Sequence, residues 1–141
     1  MSEDVRQYCS FTVEDGVYGI DALRVQEIVQ ARATTLVPLA AKSVVGLMNL
    51  RGQIVTVLDV RERLGTTHRA AASTAIVVVQ TKDGTIGLMV DEIGDVVEVT
   101  RSQMESPPET LRGSGRDYIV GACKLPGRLL LTLDLDGVVA L

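Results

Sequence analysis

Residues 45–59 read VGLMNLRGQIVTVLD, and a similar stretch returns at residues 120–134 as VGACKLPGRLLLTLD. Both copies contain Val-Gly, then Leu-x-Gly, then an apolar run that ends in Leu-Asp. The shared positions lie 75 residues apart throughout, so the two stretches align without a gap. Each copy predicts a β-hairpin, because two strand-like runs flank a turn that contains glycine. The chain is therefore predicted to contain two copies of one β unit.

A second pair of hairpins extends the duplication. Asp15-Gly16 and Asp83-Gly84 lie 68 residues apart, each between two strand-like runs, and Asp-Gly suits a tight turn. The segment that follows the first of these hairpins, residues 24–29, matches a valine-rich segment of the second copy and is therefore predicted as a strand after a short helical turn. A regular strand there would place Val25 and Glu27 on one face.

The repeats divide the chain into residues 8–65, a linker at residues 66–73 and residues 74–141. Each repeat offers about five short strands, and such antiparallel sets usually curl into small barrels that hide their edges. Residues 54–58 are almost wholly apolar, so this strand is either buried on both faces or turns one face to a partner. We predict an all-β chain of two five-stranded barrels on a shared apolar core. The pattern leaves open whether each barrel is continuous or exchanges strands with the other.

Other segments carry weaker signals. Residues 1–7 are predicted as a frayed tail, and residues 31–43 as a connection because they show little strand pattern. Asp59 and Asp134 each follow a strand at the start of a short helix, so helix capping explains them more simply than a pair of catalytic carboxylates. His68, the only histidine, lies in the linker without a neighbouring cysteine or carboxylate cluster. No phosphate-binding loop or metal-ligand spacing occurs, which predicts no enzyme activity, no cofactor and no metal.

Composition narrows the function classes. Aromatic residues form 3% of the chain and the net charge is −4, which argues against a nucleic-acid or sugar-stacking surface. The two cysteines show no paired spacing and are predicted to be reduced. The polar N-terminus does not resemble a signal peptide, and no apolar run approaches the roughly 20 residues needed to span a bilayer. A cytoplasmic protein is therefore expected.

Several of these motifs together resemble the CheW-like chemotaxis coupling proteins. The resemblance covers residues 8–139, and its strongest part is Asn49-Leu50-Arg51-Gly52 followed by the apolar run to Asp59. The other matching motifs are Tyr18-Gly19-Ile20-Asp21, Val25-Gln26-Glu27-Ile28, Val37-Pro38, Val45-Gly46-Leu47-Met48, Val57-Leu58-Asp59-Val60-Arg61 and Gly87-Leu88-Met89-Val90-Asp91. The resemblance implies two five-stranded SH3-like β-barrels with short helical turns and no catalysis.

The resemblance also implies a function and partners. CheW-like proteins are scaffold adaptors of two-component signalling that couple chemoreceptors, the methyl-accepting chemotaxis proteins, to the histidine kinase CheA in arrays. The receptor's cytoplasmic helical hairpin tip lies in an apolar groove between the barrels, and the CheW-like regulatory domain of CheA binds barrel to barrel. CheW–CheW ring contacts are expected too. The protein would be cytoplasmic and recruited to the inner face of the membrane through receptors. With no kinase or receiver segment, a stand-alone coupler is expected, of a flagellar or a non-flagellar pathway.

Carried over by position, the resemblance predicts partner contacts at the following residues: Val25, Glu27, Gly46, Asn49, Arg51, Ile86, Gly87 and Leu88. Structural alternatives stand beside them: a solvated turn arginine, a strand-face carboxylate, and core positions at Val25 and Ile86. The second copy has Pro126 where the first has Arg51, which favours a partner role for the arginine. A different class of function, a double barrel that binds an oligosaccharide or nucleic acid, is opposed by the acidic charge and the scarcity of aromatic residues.

Overall fold

The computed structural model describes residues 4–30, 36–41, 44–65, 75–109 and 114–140. Within these ranges the chain forms twelve strands, two short helices and three 3-10 turns. The strands are β1 Val5–Val13, β2 Gly16–Asp21, β3 Val25–Gln30, β4 Leu36–Ala41, β5 Val44–Leu50, β6 Gln53–Asp59, β7 Ala75–Thr81, β8 Gly84–Val90, β9 Glu92–Thr100, β10 Met104–Glu105, β11 Ile119–Leu125 and β12 Arg128–Leu133. The helices are α1 Val60–Arg63 and α2 Leu135–Val139, and the 3-10 turns are Ala22–Arg24, Arg101–Gln103 and Ser114–Tyr118.

The strands form two sheets. The first sheet has the order β10-β11-β12-β2-β1-β9, and the second has the order β3-β7-β8-β6-β5-β4. Neighbouring strands are antiparallel except for the pairs β12–β2 and β6–β8, which are parallel. Strands β1 and β2 thus join strands of the second repeat, while β7 and β8 join strands of the first. The all-β class is confirmed, and the repeats exchange strands, which the sequence left open.

Each sheet has six strands where five were predicted. The connection predicted for residues 31–43 is wrong for residues 36–41, which form β4 at the edge of the second sheet. An edge strand tolerates Pro38, because one side of such a strand needs no N–H donor. The predicted N-terminal tail is shorter than expected, since β1 begins at Val5 and its first residues pair with the end of β9. These additions lengthen both sheets without changing the fold class.

Apolar side chains of the described residues form three clusters. The largest lies between the sheets and joins Phe11, Val13 and Ile20 of the first sheet to Leu58 and Leu88 of the second. Two smaller clusters belong to one sheet each; they contain Met48, Val55, Val57, Ile76, Val78 and Met89 in the second sheet, and Val17, Val99, Cys123 and Leu130 in the first. The predicted shared core is therefore confirmed, and it is built almost wholly from aliphatic side chains.

Candidate functional site

The turn between β5 and β6 consists of Arg51 and Gly52 alone, because Leu50 pairs directly with Gln53. Both turn residues have positive φ angles, +52° at Arg51 and +88° at Gly52, as in a type I′ hairpin turn. Asn49 supports the turn, since its Oδ1 accepts a hydrogen bond of 2.8 Å from the Gly52 N–H. The left-handed conformation costs a non-glycine residue roughly 1–2 kcal/mol. The chain therefore keeps an arginine where glycine or asparagine would be easier.

The second copy of the hairpin turns differently. Leu125 pairs with Arg128 around Pro126 and Gly127, and only the glycine has a positive φ, +77°. Proline fixes φ near −65°, which together with the following glycine is typical of a type II turn. The replacement of Arg51 by Pro126 thus changes the backbone of the turn as well as its side chain. The turn of the first copy therefore contains a non-glycine residue in the left-handed conformation, and the turn of the second copy does not.

Arg51 forms an ion pair with Glu27, another residue that the sequence singled out. The Arg51 Nη1 atom lies 2.5 Å from Glu27 Oε2, and the side chains are 76% and 22% exposed respectively. Glu27 belongs to β3, three strands away from β6. In a flat sheet, that separation together with the register offset would place the two Cα atoms about 25 Å apart. The ion pair therefore requires the second sheet to curl strongly.

The prediction that Val25 and Glu27 share a face is wrong, because a β-bulge lies between them. Val25 stands opposite Val79, whereas Glu27 stands opposite Val78, and adjacent strand residues point to opposite faces. Val25 accordingly packs against the core between the sheets. Glu27 takes the other face of the second sheet, where it meets the Arg51 guanidinium.

One face of the β5–β6 hairpin extends from the shared core to the solvent-exposed surface. Ile86 on β8 stands opposite Thr56 on β6, and Thr56 stands opposite Leu47 on β5. These three residues are half-buried, while the next pair along the hairpin, Asn49 and Ile54, is exposed. Ile54 is 62% exposed. We call this surface, Leu47, Asn49, Ile54, Thr56 and Ile86, the hairpin face.

Ile54 was not among the residues predicted to contact a partner. A signal for it existed, since the apolar run of residues 54–58 predicted either burial on both faces or a face turned to a partner. Strand β6 shows both outcomes: Val55, Val57 and Leu58 are buried, and Ile54 is not.

Three predicted contact residues are buried. Leu88 lies in the shared core, and Gly46 is buried beside Val57 in the pairing of β5 and β6. A Cβ atom added at Gly87 would lie 3.0 Å from Ile76 Cγ2 and 3.2 Å from Val57 Cγ2, so a side chain there would crowd these two neighbours. All three residues are buried and therefore lie outside the surface that a partner could contact. The other five predicted residues, namely Val25, Glu27, Asn49, Arg51 and Ile86, are half-buried or exposed.

The carboxylates and thiols that could take part in chemistry have structural roles or lie apart from one another in the described residues. Asp59 caps α1 as predicted, because its Oδ1 accepts from the Arg61 N–H at 2.9 Å, whereas the Asp134 side chain makes no capping hydrogen bond to α2. Burial raises the pKa of the Cys9 and Cys123 thiols. Within the described part of the chain, no three His, Cys, Asp or Glu side chains are grouped to hold a metal ion. The linker, with His68, lies outside the described residues.

In the ranges that the structure describes, no helix is long and apolar enough to cross a membrane. The two helices have four and five residues.

Comparisons with known proteins identify a family and a solved structure with the same fold. Residues 7–141 match the family model described as the CheW-like domain. The chain is 32% identical to chemotaxis protein CheW of Bacillus subtilis over 129 residues, which cover 91% of this chain and 83% of that protein. It is 27% identical to chemotaxis protein CheW of Treponema pallidum over 140 residues, which cover 96% and 82%. A crystal structure of scaffolding protein TtCheW from Thermoanaerobacter tengcongensis shares the fold, with a TM-score of 0.86, 22% identity and coverage of 98% and 94%.

Proposed function

Since the chain belongs to the CheW-like family, we propose that it is a non-enzymatic adaptor that couples chemoreceptors to the histidine kinase CheA. The observation that carries the proposal is the exposed, left-handed Arg51 at the tip of the hairpin whose hairpin face presents the exposed Ile54. Residues in strained backbone conformations lower the stability of the fold, and they cluster at functional sites. The second copy of the hairpin avoids that cost with Pro126-Gly127, so the fold itself does not require the arginine.

The receptor is proposed to lie along the hairpin face, in the groove between the two sheets. A helical hairpin tip presents apolar residues at intervals of three and four, and such a helix packs into an apolar groove. Ile54 supplies the exposed apolar contact, and the half-buried Ile86 and Leu47 line the side that leads to the shared core. Family resemblance supports the groove, and the gradient from buried to exposed along β6 supports its position.

Arg51 is proposed to make the polar contact at the end of this groove. A guanidinium group has a planar fork of donors that suits a carboxylate or adjacent backbone carbonyls of a partner. Glu27 holds that fork on one side before binding, which reduces the side-chain entropy lost when a partner arrives. Asn49 fixes the turn backbone beneath it. Together the three residues present one oriented cation.

The kinase is proposed to bind through its own CheW-like regulatory domain, barrel to barrel, and similar contacts between copies of the chain would extend a ring. A rigid two-sheet body can then hold receptor and kinase at a fixed distance on the inner face of the membrane. Control of the kinase requires only that the adaptor contact one kinase state better than the other, because a ligand shifts a two-state equilibrium by its differential affinity.

A charge-reversal variant tests this proposal. Arg51→Glu should keep the β-sheet circular dichroism spectrum but weaken binding to a receptor fragment at least tenfold and abolish receptor-dependent kinase activation. The matched control is Arg128→Glu, which reverses an exposed arginine beside the equivalent turn of the second copy. If Arg51→Glu and Arg128→Glu both bind and activate like the unmodified protein, the proposed site is wrong.

A further inference from the structure

The chain passes between the two sheets at two places, and an arginine–aspartate ion pair lies at each of them. The first crossing runs from β2 to β3 through the 3-10 turn Ala22–Arg24, and the second runs from β8 to β9 at Asp91. The sheets otherwise meet mainly through apolar side chains, whose contacts are not directional. Polar contacts at the crossings are therefore suited to fix the angle between the sheets.

The first crossing is tied by Arg24. Its Nη2 atom lies 2.9 Å from Asp136 Oδ1 on α2, the helix that follows the first sheet, and its Nε–H donates to the Gln80 carbonyl of the second sheet at 2.8 Å. The backbone N–H of Lys82 also donates to Asp136 Oδ1, at 3.3 Å. The Arg24 and Asp136 side chains are 34% and 33% exposed. We call this group the Arg24 cluster.

The second crossing is tied by Arg61. Its guanidinium donates to both carboxylate oxygens of Asp59, at 3.0 and 3.1 Å, and lies 3.6 Å from Asp91 Oδ1. Asp91 in turn accepts from the Glu14 N–H at 2.7 Å, and its own N–H donates to the Thr12 carbonyl at 3.1 Å. The Arg61 and Asp91 side chains are each 13% exposed. This Arg61 cluster joins α1 to the β1–β2 hairpin of the first sheet.

The two clusters lie at opposite ends of β8. That strand begins two residues after Lys82 and ends immediately before Asp91, a span of about 20 Å for its seven residues. Strand β6 runs parallel to β8 with Thr56 beside Ile86, so the start of β6, Ile54 and the Arg51 turn lie at the Lys82 end. The Arg24 cluster therefore stands at the same end of the second sheet as the hairpin face, and the Arg61 cluster stands at the far end.

We propose that the Arg24 cluster is a latch that sets the angle between the sheets at the receptor groove, with the Arg61 cluster as its pivot. The contacts that join the sheets at the Arg61 cluster are largely buried, since Asp91 lies 3.6 Å from Arg61 and also accepts from the Glu14 N–H at 2.7 Å. The Arg24–Asp136 pair is about a third exposed, and an exposed ion pair is weak whereas a buried one is costly to break, so the sheets separate first at the latch. A partner that touches both sheets depends on their angle, and a partner that binds one barrel does not. Arg24 and Asp136 are thus positioning residues that distinguish the receptor from the kinase. This inference rests on the proposed function for the identity of the two partners.

Latch variants and residual dipolar couplings test the proposal. In the free protein, Arg24→Gln and Asp136→Asn should each change the relative orientation of the two sheets, whereas the control Arg128→Gln should not. The same two variants should lower affinity for a receptor fragment three- to tenfold and leave affinity for the regulatory domain of CheA within twofold. The loss in the double variant should be smaller than the sum of the two single losses, because both substitutions remove the Arg24–Asp136 ion pair, while each also affects a separate hydrogen bond, to Gln80 or from Lys82.

Two results would overturn these statements in different ways. If the dipolar couplings of Arg24→Gln and Asp136→Asn fit the unmodified orientation, the latch does not set the angle, whatever the partners do. If the orientation changes but receptor binding is unaffected in the latch variants and also in Arg51→Glu, the proposed receptor groove is wrong and the role assigned to the latch falls with it. Equal loss of receptor and kinase binding would show a general structural role and would also overturn the proposal.

Discussion

Replacing Arg51 by glycine separates the cost of the turn from the use of its side chain. The φ angle of +52° at this position is one that glycine adopts freely and that arginine adopts under strain. If the arginine is kept for a partner, its removal should leave the fold as stable as before while the coupling function is lost. Loss of function without loss of stability is the expected signature.

The expected stability change is small because its terms oppose one another. Relief of the left-handed conformation stabilises the glycine variant by roughly 1–2 kcal/mol. The extra freedom of glycine in the unfolded chain costs about 0.4–1 kcal/mol. Loss of the mostly exposed ion pair with Glu27 costs about 0–1 kcal/mol. The free energy of unfolding of Arg51→Gly should therefore lie between about 1 kcal/mol below and about 1.6 kcal/mol above the unmodified value.

Urea denaturation followed by circular dichroism measures the stability, and receptor-fragment titration measures the function. Arg51→Ala is the matched control, since it removes the same ion pair but keeps the backbone cost, and it should be less stable than Arg51→Gly. If Arg51→Gly is destabilised by more than about 2 kcal/mol, the side chain supports the fold and the strain argument fails. If it binds the receptor fragment normally, the arginine has no partner role.

Three further predictions concern positions away from the turn. Gly87→Ala should destabilise the fold by about 1–3 kcal/mol, because its methyl group meets Ile76 and Val57; urea denaturation checks this, and an unaltered midpoint would contradict the packing. Hydrogen bonds from Arg24 and from the Lys82 N–H hold the pKa of Asp136 below its usual 3.8. These contacts therefore stabilise the folded state above that value, and this stabilisation is lost as pH falls through the lowered folded pKa. An NMR titration of the Asp136 carboxyl carbon should show this low midpoint, and the midpoint should rise in Arg24→Gln. Burial raises the pKa of the Cys9 and Cys123 thiols, so both should react slowly with an alkylating reagent at pH 8, the buried Cys123 more slowly; rapid, equal labelling in the native state would refute this.

Local patterns predicted the hairpins and their turns well. The Arg51 turn and the Asp59 cap depend on a few neighbouring residues, and turn chemistry and capping are local effects. The duplication decided the ambiguous segment after Asp21 correctly, as a 3-10 turn followed by β3. Internal comparison thus supplied information that a single window of sequence lacked.

Long-range pairing could not be predicted in the same way. The exchange of β1 and β2 into the sheet of the second repeat depends on contacts between residues far apart in the chain, and both repeats carry similar local patterns. The bulge between Val25 and Glu27 is one extra residue in a strand, which alternation alone does not reveal. Pro38 made β4 difficult to predict, because a proline has no N–H donor and fits a strand only at the edge of a sheet.

The candidate site was predicted in part for the same reason. Arg51 and Glu27 were named separately, but only the curled sheet brings them together. Gly87 and Leu88 were named with Ile86 as one contact segment, yet alternation along β8 turns Gly87 to the opposite face, and Leu88, on the same face as Ile86, is fully buried in the shared core. The sequence did not single out Ile54 within its apolar run, because the exposure of this residue depends on where β6 extends beyond the shared core.

Reconstitution of the three-component complex tests the adaptor function most directly. Receptor fragments in vesicles are mixed with CheA, with and without this protein, and the kinase that sediments with the vesicles and its autophosphorylation rate are measured. We predict that CheA sediments and is activated only when the protein is present, and that Arg51→Glu removes the effect. Full recruitment and activation of CheA without the protein, or no recruitment with it, would contradict its proposed role as the coupler of receptor and kinase.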